Sequence, residues 1–561
     1  MRRPIRLTIA AAAAAALLGA CGKPPQDNAP LAFVPADTPY VYANLQPVPA
    51  ATTEQWSKPL QEYWPSLFSM YQSMLQDPKL GLSDRTRRIA GAIMDEFKTH
   101  ADWQRLRQIG LKPDARVAIY GVGLVPVLRL ELGDAAALRA EIARVEQAAG
   151  EKLPVAKVGD FSYWQVGGAG LAAAIAIEDT HLVVTMLPAN ASDGLKRTLL
   201  GLDRPAHGMA GSGALEALAR QYDFSPYGAG YLDLVRLVER LSKPLEGSDA
   251  EFARTLGLPA LPANDETCRR EYLEIAHAFP RLVVGATELS AQRMRIVSQL
   301  EMEAGLAGRI AAAAGAAPGS GGPVDGAADF SVALPVLRLK DFWIAQADAA
   351  AAKPYACASL KAINDGFAQA KAKLDVTVPP PFSDLTGLRV SLSKVDIAGP
   401  GTLPDVAGKL LLATTNPAAT LAMAQLTLPA LQKVKVAADG KPVALPGDLL
   451  PMKLPALSVA MSDKAIALAS GAEAASLPAF LAAPAANDAT FLRVHVSGAV
   501  YGWMARAFQA MKANLPPATQ KSFDAQITMF GVYEKWLRSN DFALAATPTG
   551  IRLQQTIEVN P

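Results

Sequence analysis

The chain runs through one order of elements twice, and this repeat constrains its fold more than any other feature of the sequence. In the first pass Val127 to Leu132 alternates as a strand, and Gly133-Asp134 opens a helix whose Leu138, Ile142 and Val145 share a face. Pro154 to Asp160 follows, then a strand from Leu171 to Ile177, a turn at Glu178-Asp179, a strand from His181 to Met186 and a helix from Ser192 to Leu200. In the second pass Lys409 to Ala413 is the strand, and Asn416-Pro417 caps a helix with Leu421, Gln425 and Leu428 at matching offsets. Lys433 to Gly440 reads as the next hairpin; Leu457 to Met461, a turn at Ser462-Asp463, Ala465 to Ala469 and a helix from Glu473 to Leu481 complete the pass.

The ends of the passes match as well. Tyr227 to Leu241 and Phe491 to Phe508 each read as a strand leading into a helix, and Leu282 to Met302 and Phe542 to Val559 as terminal hairpins. Paired strands with short turns favour meanders over βαβ crossovers. The expectation is therefore an α+β protein of two related domains from an internal duplication, each an antiparallel sheet with helices packed on one face. Residues 305–326, rich in Gly, Ala and Ser with two prolines, read as a linker between a first domain at 31–304 and a second at 327–561.

Residues 1–20 have the order of a secretory signal: Arg2, Arg3 and Arg6, an apolar run of 12 residues from Leu7 to Leu18, then small residues before Cys21. That run is too short for a bilayer, which needs about 20 apolar residues. Leu18-Gly19-Ala20-Cys21 resembles the lipobox of bacterial lipoproteins, and the resemblance implies lipidation of Cys21 and cleavage just before it. Two or three acyl chains on Cys21 make a firm anchor, and residues 21–30 make a polar, Pro-bearing tether. By the same resemblance Gly22, where an aspartate signals inner-membrane retention, points to the outer membrane, facing the periplasm.

Removing the three signal arginines from the 54 basic residues leaves 51 against 52 acidic ones, a formal charge of −1 on the mature chain. A near-neutral surface does not concentrate polyanions, so nucleic acid is not an expected partner. With Cys21 committed to lipid, Cys268 and Cys357 remain, an even pair in an oxidising compartment. A disulfide between them would tie the two halves in a fixed orientation.

No catalytic motif stands out. The five histidines, His100, His181, His207, His277 and His495, are dispersed without ligand spacing, so no metal is expected. Gly211-Ser212-Gly213 and Gly319-Ser320-Gly321 read as turns. Ser391 and Lys394 satisfy S-x-x-K only within a strand, where positions i and i+3 face opposite ways. Gly121-Val122-Gly123 lacks the third glycine of a dinucleotide loop, and no cofactor is expected. Glu131, Asp134, Glu178, Asp233 and Asp463 suit caps, turns and solvated faces. Trp56, Tyr63, Trp64, Phe68, Tyr71, Met70 and Met74 crowd one helical region, first of all as a core stripe and second as a partner surface.

The signal, the strand opening PADTPYVYANL and the hairpin ATPTGIRLQQTIEV together resemble a loose group of bacterial envelope proteins of unknown function, which implies alternating β-meanders and helices and brings no catalytic residues. The leading functional expectation is a non-enzymatic binding or scaffold role with an envelope protein partner. A carrier or chaperone for a lipid or other apolar ligand is the alternative, and a hydrolase with a site assembled from distant residues is the lesser one.

Overall fold

The computed structural model describes residues 28–75, 84–99, 102–167, 170–188, 191–255, 265–396, 405–447, 456–512 and 515–561. The expected signal peptide, Cys21, most of the expected tether and His100 lie outside the described residues. The first half supplies strands β1 (Tyr40–Ala43), β2 (Val117–Val122), β3 (Val125–Glu131), β4 (Val155–Val158), β5 (Phe161–Gly167), β6 (Leu171–Glu178), β7 (His181–Pro188), β8 (Ala229–Asp233), β9 (Arg281–Leu289) and β10 (Arg293–Glu301). The second supplies β11 (Ala328–Ala333), β12 (Leu385–Asp396), β13 (Asp405–Thr414), β14 (Val443–Ala444), β15 (Leu457–Met461), β16 (Ala465–Ser470), β17 (Ala489–Ser497), β18 (Leu537–Thr547) and β19 (Gly550–Val559).

These strands form one antiparallel sheet, and the protein is α+β. β10 pairs with β19 from Arg293↔Glu558 to Glu301↔Gly550 and makes a seam between the halves. Outward from the seam the first half runs β10-β9-β8-β1-β2-β3-β7-β6-β5-β4. The second runs β19-β18-β17-β11-β12-β13-β16-β15-β14. Each half thus lays its last three strands next to the seam, then its first three, then the returning meander.

Helices cover both faces of this sheet, against the expected single face. In the first half Ala174, Ala176 and Val183 meet Leu199 and Leu200 of the helix Asp193–Leu200. On the opposite face Trp164, Ile175 and Leu182 meet Ile142 and Val145 of the helix Ala135–Ala149. The second half repeats this, with Ala460 and Ala467 under Leu477 and Phe480, while Val459 and Leu468 pack with Leu431 and Val434. The cause is in the strands themselves: β6 (LAAAIAIE) and β7 (HLVVTMLP) are apolar at both alternation phases, so neither face can be left to water.

The stretch 305–326 is a packed element and not a linker. Ala304–Ala314 is a helix, hereafter the seam helix, with Ala307, Ala313 and Ala314 buried. Ala317 is fully buried beyond it and donates its N–H to the Thr490 carbonyl. Small side chains here permit close approach rather than forbid burial. Gly319, at φ +71°, lies so near the Arg389 guanidinium that a Cβ would stand 2.3 Å from its Nη1. The expected hairpin at Lys433 to Gly440 is also absent: a 3-10 turn, Pro429–Lys433, leads into irregular chain that buries Val434.

Candidate functional site

An apolar groove of about 1040 Å³ lies at one end of the seam strands. Its walls are the helix Glu266–Ala278, the seam helix and the helices Val336–Ala352 and Lys361–Leu374. Leu306, Ile310, Phe342, Trp343, Phe367 and Phe491 line it, and Ile551 of β19 contributes to its floor. Trp343 leaves 47% of its surface exposed there, a large apolar area to leave in water. Glu274, Glu303, Arg309 and Lys353 put charge on the rim, and the His277 ring lies among them. The arrangement is apolar at depth and polar at the edge, as in sites that take amphiphiles.

Local bonds fix the groove's width. Cys268 and Cys357 are disulfide-bonded with Cα atoms 4.7 Å apart, so the expected bridge between the halves exists and stands beside the groove. Around it Glu271 accepts the backbone N–H groups of Ala356 and Cys357, each at 2.9 Å, and these bonds hold its carboxyl below the usual carboxylate range. Tyr272 donates to Ser359, and Lys353 pairs with Glu274 at 2.9 Å. The Glu303 carboxylate caps the seam helix on Gly305 and Leu306, and the same bonds lower its pKa.

At the other end of the seam strands the corresponding space is filled. The helix Ala50–Leu75 lies directly on the helix Pro517–Trp536, with Trp56 edge-on to Trp536 at 5.4 Å and Tyr63 beside Tyr533 at 6.2 Å. Trp56 donates to the Ser290 carbonyl in the β9–β10 turn. The aromatic cluster singled out in the sequence is therefore mainly a helix-to-helix seal: Phe68 is buried, Trp56, Tyr63 and Trp64 are half-buried, and Tyr71 and Met74 face outward. Sequence reading overlooked the groove because its aromatics come from separated segments; the pair Phe342-Trp343 was the available signal. A second apolar cavity, about 270 Å³ between Trp164, Ile175 and Ile142, is small for a lipid.

The other residues weighed for chemistry are scattered. Ser212 bonds the Met209 carbonyl, Ser320 that of Ala317 and Ser391 that of Asp325, while Lys394 pairs with Asp405. Gly121-Val122-Gly123 sits at the β2–β3 turn, where Asp249 holds the Leu124 N–H. Asp134 and Asp233 are N-caps, Glu131 binds Arg116, and Glu178 binds Arg129. Asp463 lies between β15 and β16, and His207 is in an exposed loop. His181 is buried, while His495 is hydrogen-bonded to Asp541 at 2.8 Å. Two buried arginines have matching surroundings: Arg129 lies 3.6 Å from the Phe33 ring centre and Arg389 4.5 Å from that of Phe480. Among the described residues, no helix is long and apolar enough to cross a membrane. No family model, curated protein or solved structure matches this chain.

Proposed function

We propose that this protein is a lipid-anchored binding protein of the bacterial envelope whose seam groove holds an apolar ligand of the lipid class. The groove carries the reading: an apolar recess of about 1040 Å³ with exposed Trp343, held open by a disulfide. A scaffold without cargo has no use for such a recess, and solvating it costs about 25 cal/mol per Å² of apolar surface. The lipobox-like Leu18 to Cys21 and Gly22 support an anchor on the periplasmic side of the outer membrane. Matching strand order in the two halves, apart from one extra meander strand in the first, supports an origin by internal duplication, in which one copy of the inter-half cleft closed on aromatic rings and the other stayed open.

Native mass spectrometry with lipid extraction tests the reading on the mature chain carrying Cys21→Ser, purified from a bacterial periplasm. A stoichiometric apolar molecule, reduced in W343A, is the expected result. A clean apo mass together with no retention of a fluorescent fatty acid rejects the carrier reading and leaves a protein segment as the groove's occupant.

A further inference from the structure

The opposite face of the seam carries a second, polar site. Backbone register sets seven polar side chains in one row across seven strands: Arg295 (β10), Thr556 (β19), Asp541 (β18), His495 (β17), Asp329 (β11), Ser391 (β12) and Lys409 (β13). Thr556 is an odd number of residues from Ile551 along β19, so this row lies on the other face from the groove's floor. A run of seven polar positions on a sheet face that elsewhere builds a core needs a chemical reason.

The distal end of the row is buried and satisfied internally. Arg389 binds Asp329 at 2.6 Å with both side chains at most 5% exposed, and Lys409 pairs with Asp325 and Glu473 at 2.9 Å each. The seam end is different: it opens as a cleft of about 580 Å³, walled by Pro323 and Val324 of the packed turn and lined by Arg293, Arg295, Arg493, Arg538, His495 and Asp541. Glu558, Ser539, Gln554 and Thr556 also face it.

The acids in this cleft do not saturate the arginines. Asp541 is occupied, because it accepts from His495 Nδ1 and from Ser539 at 3.1 Å. Burial pushes its carboxyl up, and the bonds from His495 and Ser539 with the charge of Arg493 outweigh that and hold it below the usual range. Arg293 reaches Glu288 and Glu558 only at 3.5 and 3.6 Å, Arg295 reaches Glu288 at 3.9 Å, and Arg538 reaches Glu558 at 3.8 Å. Arg493 donates through Nη1 to the carbonyls of Ser320 and Gly322. Neither Arg293 nor Arg295 makes a hydrogen bond through Nε: Arg293 Nε has only the Glu288 and Glu558 carboxylate oxygens at ion-pair distance, and the two side chains stay 39% and 33% exposed. Two neighbouring, partly exposed arginines of one strand face, held by their acids only at 3.5 to 3.9 Å, suit an acceptor with several oxygens.

We propose that this cleft is a binding site for a phosphate group, with Arg293 and Arg295 as its principal donors and Arg493 and Arg538 completing the positive wall. His495 lines the site with Nδ1 committed to Asp541. The site shares no lining residue with the groove, so it stands whether or not the groove binds lipid.

Isothermal titration of inorganic phosphate into the mature Cys21→Ser chain, at fixed ionic strength, tests this. The expected result is saturable one-to-one binding, weakened about tenfold or more in R295Q and in R293Q and unchanged in R309Q, which alters only the groove rim. R295K, which keeps the charge and the fold but loses the planar fork, is also expected to weaken binding. Soluble dihexanoyl phosphatidic acid separates the sources: binding at least about tenfold tighter than phosphate and weakened in R295Q assigns a lipid headgroup at the cleft, and equal affinity assigns a free or esterified phosphate. Absence of saturable binding by the unmodified chain overturns the proposal. So does binding that R295Q and R295K leave intact, or that an equal concentration of chloride abolishes.

Discussion

His181 shows how a single residue sets the acid limit of this fold. It opens β7 fully buried, edge-on to Phe33 at 5.5 Å, and neither ring nitrogen has a hydrogen-bond partner among the described residues. Burial, and after it the charge of Arg129, pushes its pKa down to about 4. The folded state therefore resists a proton that the unfolded chain accepts near the ordinary value of 6.5. The stability this group contributes is whole above pH 6.5 and is lost as pH falls from there through about 4. The full effect is on the order of 3 kcal/mol, of which about 2 is gone by pH 5. Asp541 and Glu131, with depressed carboxyl pKa values, lose their contributions lower in the acid range, so the window from pH 7 to 5 isolates the histidine. Urea unfolding at pH 7 and 5 should show a drop that is smaller by about 2 kcal/mol in H181F; equal drops in the two proteins would remove His181 as the cause. From sequence, a lone histidine in a strand reads as structural, but alternation cannot reveal that the covered face offers it no hydrogen bond, with the Glu178 carboxylate no nearer than 4.0 Å.

Among elements, those with a strong local signal were legible: the β9–β10 and β18–β19 hairpins, the helix Ala135–Ala149 opened by Asp134 and closed at Gly150, and the strands β15 and β16 around Ser462-Asp463. Elements made of small residues were not, because the seam helix is stabilised by close approach, which composition does not display. KVKV has strand alternation, yet the chain there follows a 3-10 turn and forms no strand until Val443. The groove depends on a contact of this non-local kind. Its wall helix Glu266–Ala278 is joined to the second half by the disulfide, with the Glu271 and Lys353 bonds beside it. The bridge closes a chain loop spanning a separation of 89 residues, and in the chain-entropy account C268S/C357S should cost about 4–5 kcal/mol. Urea unfolding measures that loss. Hydrogen exchange should then show residues 266–278 opening faster while the sealed end around Trp56 and Trp536 keeps its protection. Unchanged exchange in 266–278 would mean that the polar bonds alone hold the wall.

At the scale of the molecule, the order of elements in each half was readable but their union was not, because a terminal hairpin in sequence carries no mark of what pairs with its outer strand. Edge strands explain the union. Two separate domains would each expose a long terminal strand, β10 or β19, as an unpaired row of backbone donors and acceptors. Pairing β10 with β19 removes both edges and leaves the sheet to end on β4, four residues long, and β14, two residues long. Short edges are the usual protection against edge-to-edge association. The seam also carries both proposed sites, the groove on one face and the arginine cleft on the other, so the shape of either depends on the halves staying paired. Native-state hydrogen exchange decides between a shared sheet and two loosely joined domains. In a shared sheet, amides of residues 293–301 and 550–559 belong to the slowest-exchanging class, because they open only with the whole fold. In joined domains the same amides are edge amides and exchange at rates like those of residues 155–158.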